Sequence, residues 1–175
     1  MSDGKTSGLK NVYRRWFYRW LAKKYMKGCI VLDVGSGNGF FAKSIKDLVP
    51  RVIRIDKNPV DDETIEMNYG GWAEPVDVVF ASQFIEHVDA QYFVAWANEV
   101  CKKCCVIITP GPSTSFWDDP DHIRPHTPRA IKALLESAGF EVVRQINPWP
   151  IKSHITIANK KHEKEKKDDS NTPLP

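Results

Sequence analysis

No apolar run in these 175 residues approaches the roughly 20 needed to cross a bilayer, so no membrane span is expected. The stretch Met1 to Gly8 is polar and lacks the apolar segment of a secretory leader, which points to a cytoplasmic protein. Cysteine is sparse. Cys29, Cys101, Cys104 and Cys105, without secretory context, suit reduced thiols better than a disulfide framework. Cys101-x-x-Cys104 has no second pair to complete a zinc site and falls where a helix gives way to a strand, so small buried or turn residues are the plainer reading. No Gly-Lys-Ser/Thr follows the glycines at 35–39, so that turn is not a P-loop. What remains, at 42% hydrophobic residues, is enough for one α/β domain with a sizeable core.

The net charge of +3 conceals an asymmetry. Residues 1–28 carry +7, residues 29–159 carry −5, and residues 160–175 carry +1. After a flexible start over residues 1–8, an amphipathic helix is expected over 9–28, with Leu9, Val12, Tyr13, Trp16, Phe17, Trp20, Leu21 and Tyr25 at helical spacing and Gly28 as its stop. The other face holds Lys10, Arg14, Arg15, Arg19, Lys23 and Lys24, which would suit RNA or an anionic surface. The plainer reading packs the aromatic stripe on the domain and leaves the basic residues solvated. Residues 160–175 are highly charged, contain two prolines and should form a disordered tail.

Residues 31–39, Val-Leu-Asp-Val-Gly-Ser-Gly-Asn-Gly, carry the most information. A β-branched apolar run ends here and a helical pattern, Phe40 to Val49, begins, so the glycines join a strand to a helix. Gly35, Gly37 and Gly39 admit backbone angles closed to other residues and let a ligand approach the main chain near unpaired helix N–H groups. Arg51 to Asp56 reads as a second strand. Its terminal Asp56 stands where a doubly wound fold places a ribose-binding carboxylate, with capping of the Asn58-Pro59 turn as the structural alternative. Thr64 to Tyr69 is a short third strand, Val76 to Ser82 a fourth buried on both faces, Ala90 to Lys102 a helix, and Cys104 to Thr109 a fifth strand. Ser113 to Thr127 is a long loop rich in Trp, Asp, His and Pro, the expected substrate lid. Thr127 and Pro128 open a helix that Gly139 closes, and Phe140 to Ile146 and His154 to Ala158 finish as strands.

The order D-x-G-x-G-x-G from Asp33 to Gly39 departs from the G-x-G-x-x-G of dinucleotide-binding turns and resembles the first motif of class I S-adenosylmethionine-dependent methyltransferases. The segment from Asp77 to Val88, D-V-V-x-x-S-x-x-I-E-H-V, resembles the fourth-strand region of the small-molecule members. The final two strands resemble the family's antiparallel hairpin. The resemblance spans residues 29–159 and implies a single Rossmann-like doubly wound sheet, mostly parallel, with S-adenosylmethionine as cofactor. It further implies that Gly35, Ser36, Gly37 and Gly39 pass beneath the methionine part, that Asp33 faces its ammonium through the loop or a water, that Asn68 stands near the adenine, and that Gln83 borders the donor methyl.

Methyl transfer to a hydroxyl needs alignment, a dry pocket and a base. Histidine titrates near neutral pH, which ranks His87 first and then His122 and His126, all expected beside the cleft, with Glu86 orienting His87 or capping a helix. Glu86, His87 and His122 or His126 also make a carboxylate and imidazole set suited to a divalent ion. That set faintly resembles the E-x-x-E-H of Hen1-type RNA 2′-O-methyltransferases, but Gln83 replaces the first Glu and no K-D-K-E constellation accompanies it. A small hydroxylated acceptor without a metal is therefore preferred. The alternatives are a metal-assisted RNA 2′-O-methyltransferase, an NAD-binding enzyme, and an inert binding module of the same fold.

Overall fold

The computed structural model describes residues 3–111, 114–148 and 153–161, with side chains among them except at 3–7, 114 and 115. Helix α1 covers Asp3–Tyr25, strand β1 Ile30–Val34, helix α2 Phe40–Ile45, and strand β2 Arg51–Asp56. Strand β3, Ile65–Glu66, and a 3-10 turn at Tyr69–Gly71 precede strand β4, Val76–Ser82, and a second 3-10 turn at Ile85–His87. Helix α3 (Ala90–Val100), strand β5 (Cys101–Pro110), a 3-10 turn at Thr114–Asp118, helix α4 (Pro128–Ser137), and strands β6 (Phe140–Ile146) and β7 (Ser153–Lys160) complete the order.

Seven strands form one sheet in the order β3-β2-β1-β4-β5-β7-β6. The first five run parallel, whereas β7 lies antiparallel to both β5 and β6. The order reverses between β1 and β4. That reversal opens a crevice at the carboxyl ends of these strands, where α/β sheets bind ligands.

The pleat sends alternate residues to opposite faces, so buried strands can be apolar throughout. On one face Leu32, Val34, Val79 and Ala81 pack with Phe93, Ala97, Ile131 and Leu135 of α3 and α4. On the other, Val31, Val78, Phe80 and Ile157 pack with Phe17, Leu21 and Phe41 of α1 and α2, and the Phe41 ring stacks on Phe80 at 3.5 Å between centroids. Thr127 caps α4 by accepting from the Ala130 N–H, with Pro128 at the first helical position.

Some expectations shift. Helix α1 starts at Asp3 and not at Leu9, and only the stripe from Phe17 onward is buried: Leu9, Val12 and Trp16 remain 74%, 68% and 60% exposed. Phe17 already stands beside Ser82 and Ile108 at the carboxyl ends of β4 and β5, so the turns of α1 before it overhang the sheet. Helix α2 stops at Ile45, earlier than the apolar pattern to Val49 implied, and β5 begins at Cys101. All four thiols are free and buried, and burial pushes Cys101 up to about 11 and Cys104 up to about 12, as inert core residues require. Residues 1–2, 112–113, 149–152 and 162–175, with most of the expected disordered tail, lie outside the described residues.

Candidate functional site

The turn after β1 has the geometry its glycines permit. Gly35 and Gly39 sit at φ 65° and 68°, and each is pressed from behind: a Cβ at 35 would enter the Phe84 ring, and one at 39 the Arg54 guanidinium. Gly37, at φ 49°, faces the other way, with nothing within 4 Å of where its Cβ would stand. The turn thus packs on the protein at two positions and presents bare backbone between them.

Its fixings come from β2. The Gly35 and Ser36 N–H groups donate to the Ile55 carbonyl at 3.0 and 3.2 Å, and the Gly37 N–H donates to Asp56 Oδ2 at 2.8 Å. Asp56 Oδ1 accepts from the Asn58 N–H at 2.9 Å. Asp56 thus braces both turns while its carboxylate remains on the wall of a cavity of about 500 Å³. A carboxylate offers about four acceptor positions, so two are left for ligand hydroxyls. Asn68, Tyr69, Gln83, Phe84 and His87 line the same cavity. Tyr69 meets Phe84 and Phe93 edge-on, an aromatic wall suited to a flat ring.

Asp33 lies elsewhere. It is 2% exposed, beneath the turn and off the cavity wall, one strand away from Arg54 in register. Burial raises its carboxyl to about 7 despite the opposing Arg54 charge, and its Oδ2 has no partner. Ser36 Oγ is likewise buried without a partner. Arg54 is the residue that sequence reasoning overlooked. It is 4% exposed, pairs with Asp61 at 3.0 Å and donates to the Gly37 carbonyl at 3.4 Å, so a buried cation underpins the turn. An Arg inside the otherwise apolar β2 pattern was the available signal.

Beyond β4, Gln83 holds φ 54°, a left-handed conformation uncommon without glycine, and its N–H donates to Ile108 at 2.7 Å. The strained residue forms a ridge between the main cavity and a second one of about 260 Å³.

Glu86, His87 and His122 converge, with a ligand atom from each lying within 4.8 Å of the others. Each imidazole sets its Nδ1 against a backbone carbonyl, His87 on Asp121 at 3.2 Å and His122 on Phe116. A carbonyl only accepts, so each Nδ1 carries a proton, and in the neutral ring Nε2 is then the atom that can act as a base or a metal ligand; at His122 that atom stands 3.7 Å from Asp119 Oδ2. Glu86 is fully buried. Its Oε2 accepts from Thr109 at 3.4 Å, its Oε1 has no partner, and burial raises its carboxyl while the neighbouring histidines oppose the rise. Among the described residues these three form the one donor group suited to an ion.

His126 does not join them. It is buried and lines a separate cavity with Val88, Arg124 and Leu134, where burial lowers its imidazole. The Ile123 N–H is pinned to the Glu86 carbonyl at 2.8 Å, and the extended residues that follow carry position 126 away toward α4. The expectation that all three histidines flank one cleft is thus corrected.

The model of a family described as a methyltransferase domain matches residues 8–145. A protein of Mycolicibacterium smegmatis described as a probable S-adenosylmethionine-dependent methyltransferase is 31% identical over an alignment covering 75% of this chain and 57% of the relative, so the chain spans just over half of that protein. Among solved structures, a SAM dependent methyltransferase from Archaeoglobus fulgidus superposes with a TM-score of 0.70 at 21% identity, covering 86% of this chain and 94% of the other. Magnesium protoporphyrin IX methyltransferase from Synechocystis, with bound SAH, gives 0.69 at 14% identity over 87% and 83%. A Burkholderia thailandensis 1,6-didemethyltoxoflavin-N1-methyltransferase gives 0.70 at 16% identity over 91% and 83%. These three likenesses concern the fold.

Proposed function

The chain belongs to the methyltransferase-domain family, and from that premise we propose that it is an S-adenosylmethionine-dependent methyltransferase acting on a small hydroxylated molecule. One observation carries the cofactor assignment: the cavity of about 500 Å³ that runs from Gly35 past Asp56 to Asn68 and Tyr69. Its parts fit an adenosine. Asp56 has acceptor positions for vicinal hydroxyls, Asn68 can pair with an amino-bearing ring edge, and the Tyr69 and Phe84 rings offer a flat apolar face.

When bound, the cofactor supplies a methyl group activated by its sulfonium. The chain supplies the rest. The turn passes beneath the methionine part, Asp56 holds the ribose, and Gln83 marks the border where donor and acceptor meet. His87 takes the acceptor's proton at Nε2, its ring fixed by the Asp121 carbonyl. Glu86, whose Oε1 has no partner, stabilises the imidazolium that results. Two of the similar structures are methyltransferases of magnesium protoporphyrin IX and of 1,6-didemethyltoxoflavin, which favours a small acceptor over the RNA that the basic α1 had brought into view.

Calorimetry with S-adenosylhomocysteine tests the cofactor. Saturable binding, displaced by S-adenosylmethionine and not by NAD, is expected, and no binding at millimolar ligand would sink the proposal. Labelled cofactor with a panel of hydroxylated acceptors then tests the acceptor class.

A further inference from the structure

Helix α1 carries two apolar stripes. Phe17, Leu21 and Ala22 are buried against the sheet, while Leu9, Val12 and Trp16 stand exposed on the overhanging turns at spacings of three and four residues. Successive residues of a helix step round by about 100°, which sets the exposed stripe well away from the buried one. It is a separate face. The overhang lies beyond the carboxyl ends of β4 and β5, the end of the sheet at which the cofactor cavity opens.

Charge is arranged around that stripe. From Leu9 to Gly28 there are seven basic residues and no acidic one, whereas residues 29–159 carry −5. Arg19 is locked to Asp47, and Arg14 turns inward, donating to the Tyr18 hydroxyl at 3.3 Å with its guanidinium 4.9 Å from the Phe40 ring centroid. Lys10, Arg15 and Lys24 remain. Among the described residues they take part in no ion pair, and the helical step places Arg15 to one side of the exposed stripe and Lys10 and Lys24 to the other.

We infer that the overhang of α1 is a docking surface for an anionic lipid bilayer, with Leu9, Val12 and Trp16 entering the headgroup boundary and Lys10, Arg15 and Lys24 meeting the lipid phosphates and carboxylates. A second copy is a poor occupant, because it would lay one helix rich in bases and free of acids against another. RNA would answer the charge but gives Leu9 and Val12 nothing apolar to meet. A bilayer answers both. Apolar side chains leave the water while long basic ones reach back to the headgroups. The same surface repels the acidic body, so α1 approaches first and the cofactor end of the sheet is turned toward the lipid. None of this depends on the cofactor reading, since α1 alone carries it.

The test is flotation of the full chain with vesicles of phosphatidylcholine alone and of equal parts phosphatidylcholine and phosphatidylserine, for wild type and two double variants. Leu9→Ser with Trp16→Ser removes the apolar stripe and keeps the charge, and Lys10→Gln with Arg15→Gln does the reverse. All four residues are exposed, so both variants should fold. Wild type is expected to float with the mixed vesicles and not with the neutral ones, and each double variant should weaken that binding by about tenfold or more. Polyuridylate provides the rival arm. RNA binding without flotation, lost on removing Lys10 and Arg15 and kept on removing Leu9 and Trp16, assigns α1 to nucleic acid and overturns the lipid surface. A dimer without flotation, dissociated by Leu9→Ser with Trp16→Ser in sedimentation equilibrium, overturns it in favour of a second copy. Wild type that floats with neither vesicle or equally with both, or mixed-vesicle binding indifferent to Leu9 and Trp16, overturns it outright.

Discussion

The Asp56 carboxylate accepts the Gly37 N–H at 2.8 Å, so the acid proposed to receive a ribose also fixes the glycine turn after β1. Asp56→Ala should weaken S-adenosylhomocysteine by more than tenfold, because it removes the hydroxyl acceptor and loosens the backbone together. Asp56→Asn, which retains one acceptor oxygen, should lose less. Calorimetry measures both, and an unchanged affinity would mean that the ribose lies elsewhere.

The histidines divide by geometry. His87→Ala should lower kcat by about 10²-fold if Nε2 is the base. His122→Ala should cost less, and His126→Gln, in its separate cavity, should leave the rate near wild type. Under the base assignment a chelator has no effect on turnover. Inhibition by chelator that added magnesium, manganese or zinc reverses would assign Glu86, His87 and His122 to a divalent ion instead.

Asp33 gives a pH signature. Its carboxyl is raised from 3.8 to about 7 by burial, so the folded state binds more protons than the unfolded state between those values. The stability it contributes is fully present below pH 3.8 and is lost as pH rises through 7. Asp33→Asn should therefore gain on wild type as pH climbs from 5 to 8, by up to a few kcal/mol. Denaturant unfolding across that range tests it, and a difference that stays flat or reverses would refute the assignment.

Gly28 and Gly35 share a left-handed backbone, at φ 71° and 65°, but only Gly35 faces a side chain, that of Phe84. Gly28→Ala should cost about 1 kcal/mol for its backbone alone. Gly35→Ala should cost more, about 2 kcal/mol or above, and also weaken the nucleoside by displacing Phe84 from the cavity wall. Equal losses at the two sites would show that Phe84 yields freely.

Much of this arrangement is legible along the chain, because β strands and glycine turns announce themselves locally. Asp56 falls on the cavity from strand order, and Asn68 and Gln83 line it where the family resemblance put them. What local pattern cannot supply is the content of contacts across the sheet. Arg54 reads as one more charge until β1 and β2 are set in register, which brings it beside Asp33. Arg14 reads as part of a solvated basic face until α1 is laid over β4, where Tyr18 reaches Ser82 across 64 positions. His126 looks equivalent to His122 until the Ile123 to Glu86 bond turns the chain aside.

The insertion of β7 between β5 and β6 has a consequence for biosynthesis. Helix α1 is made first, yet the apolar cluster that seats Phe17 and Leu21 includes Ile155 and Ile157, among the last described residues to be made. Strand β6 is complete before the neighbour that joins it to the sheet exists. Until β7 emerges, the β5 edge stays unpaired and the α1 cluster lacks Ile155 and Ile157, which makes closure of the sheet a late, non-local event in folding.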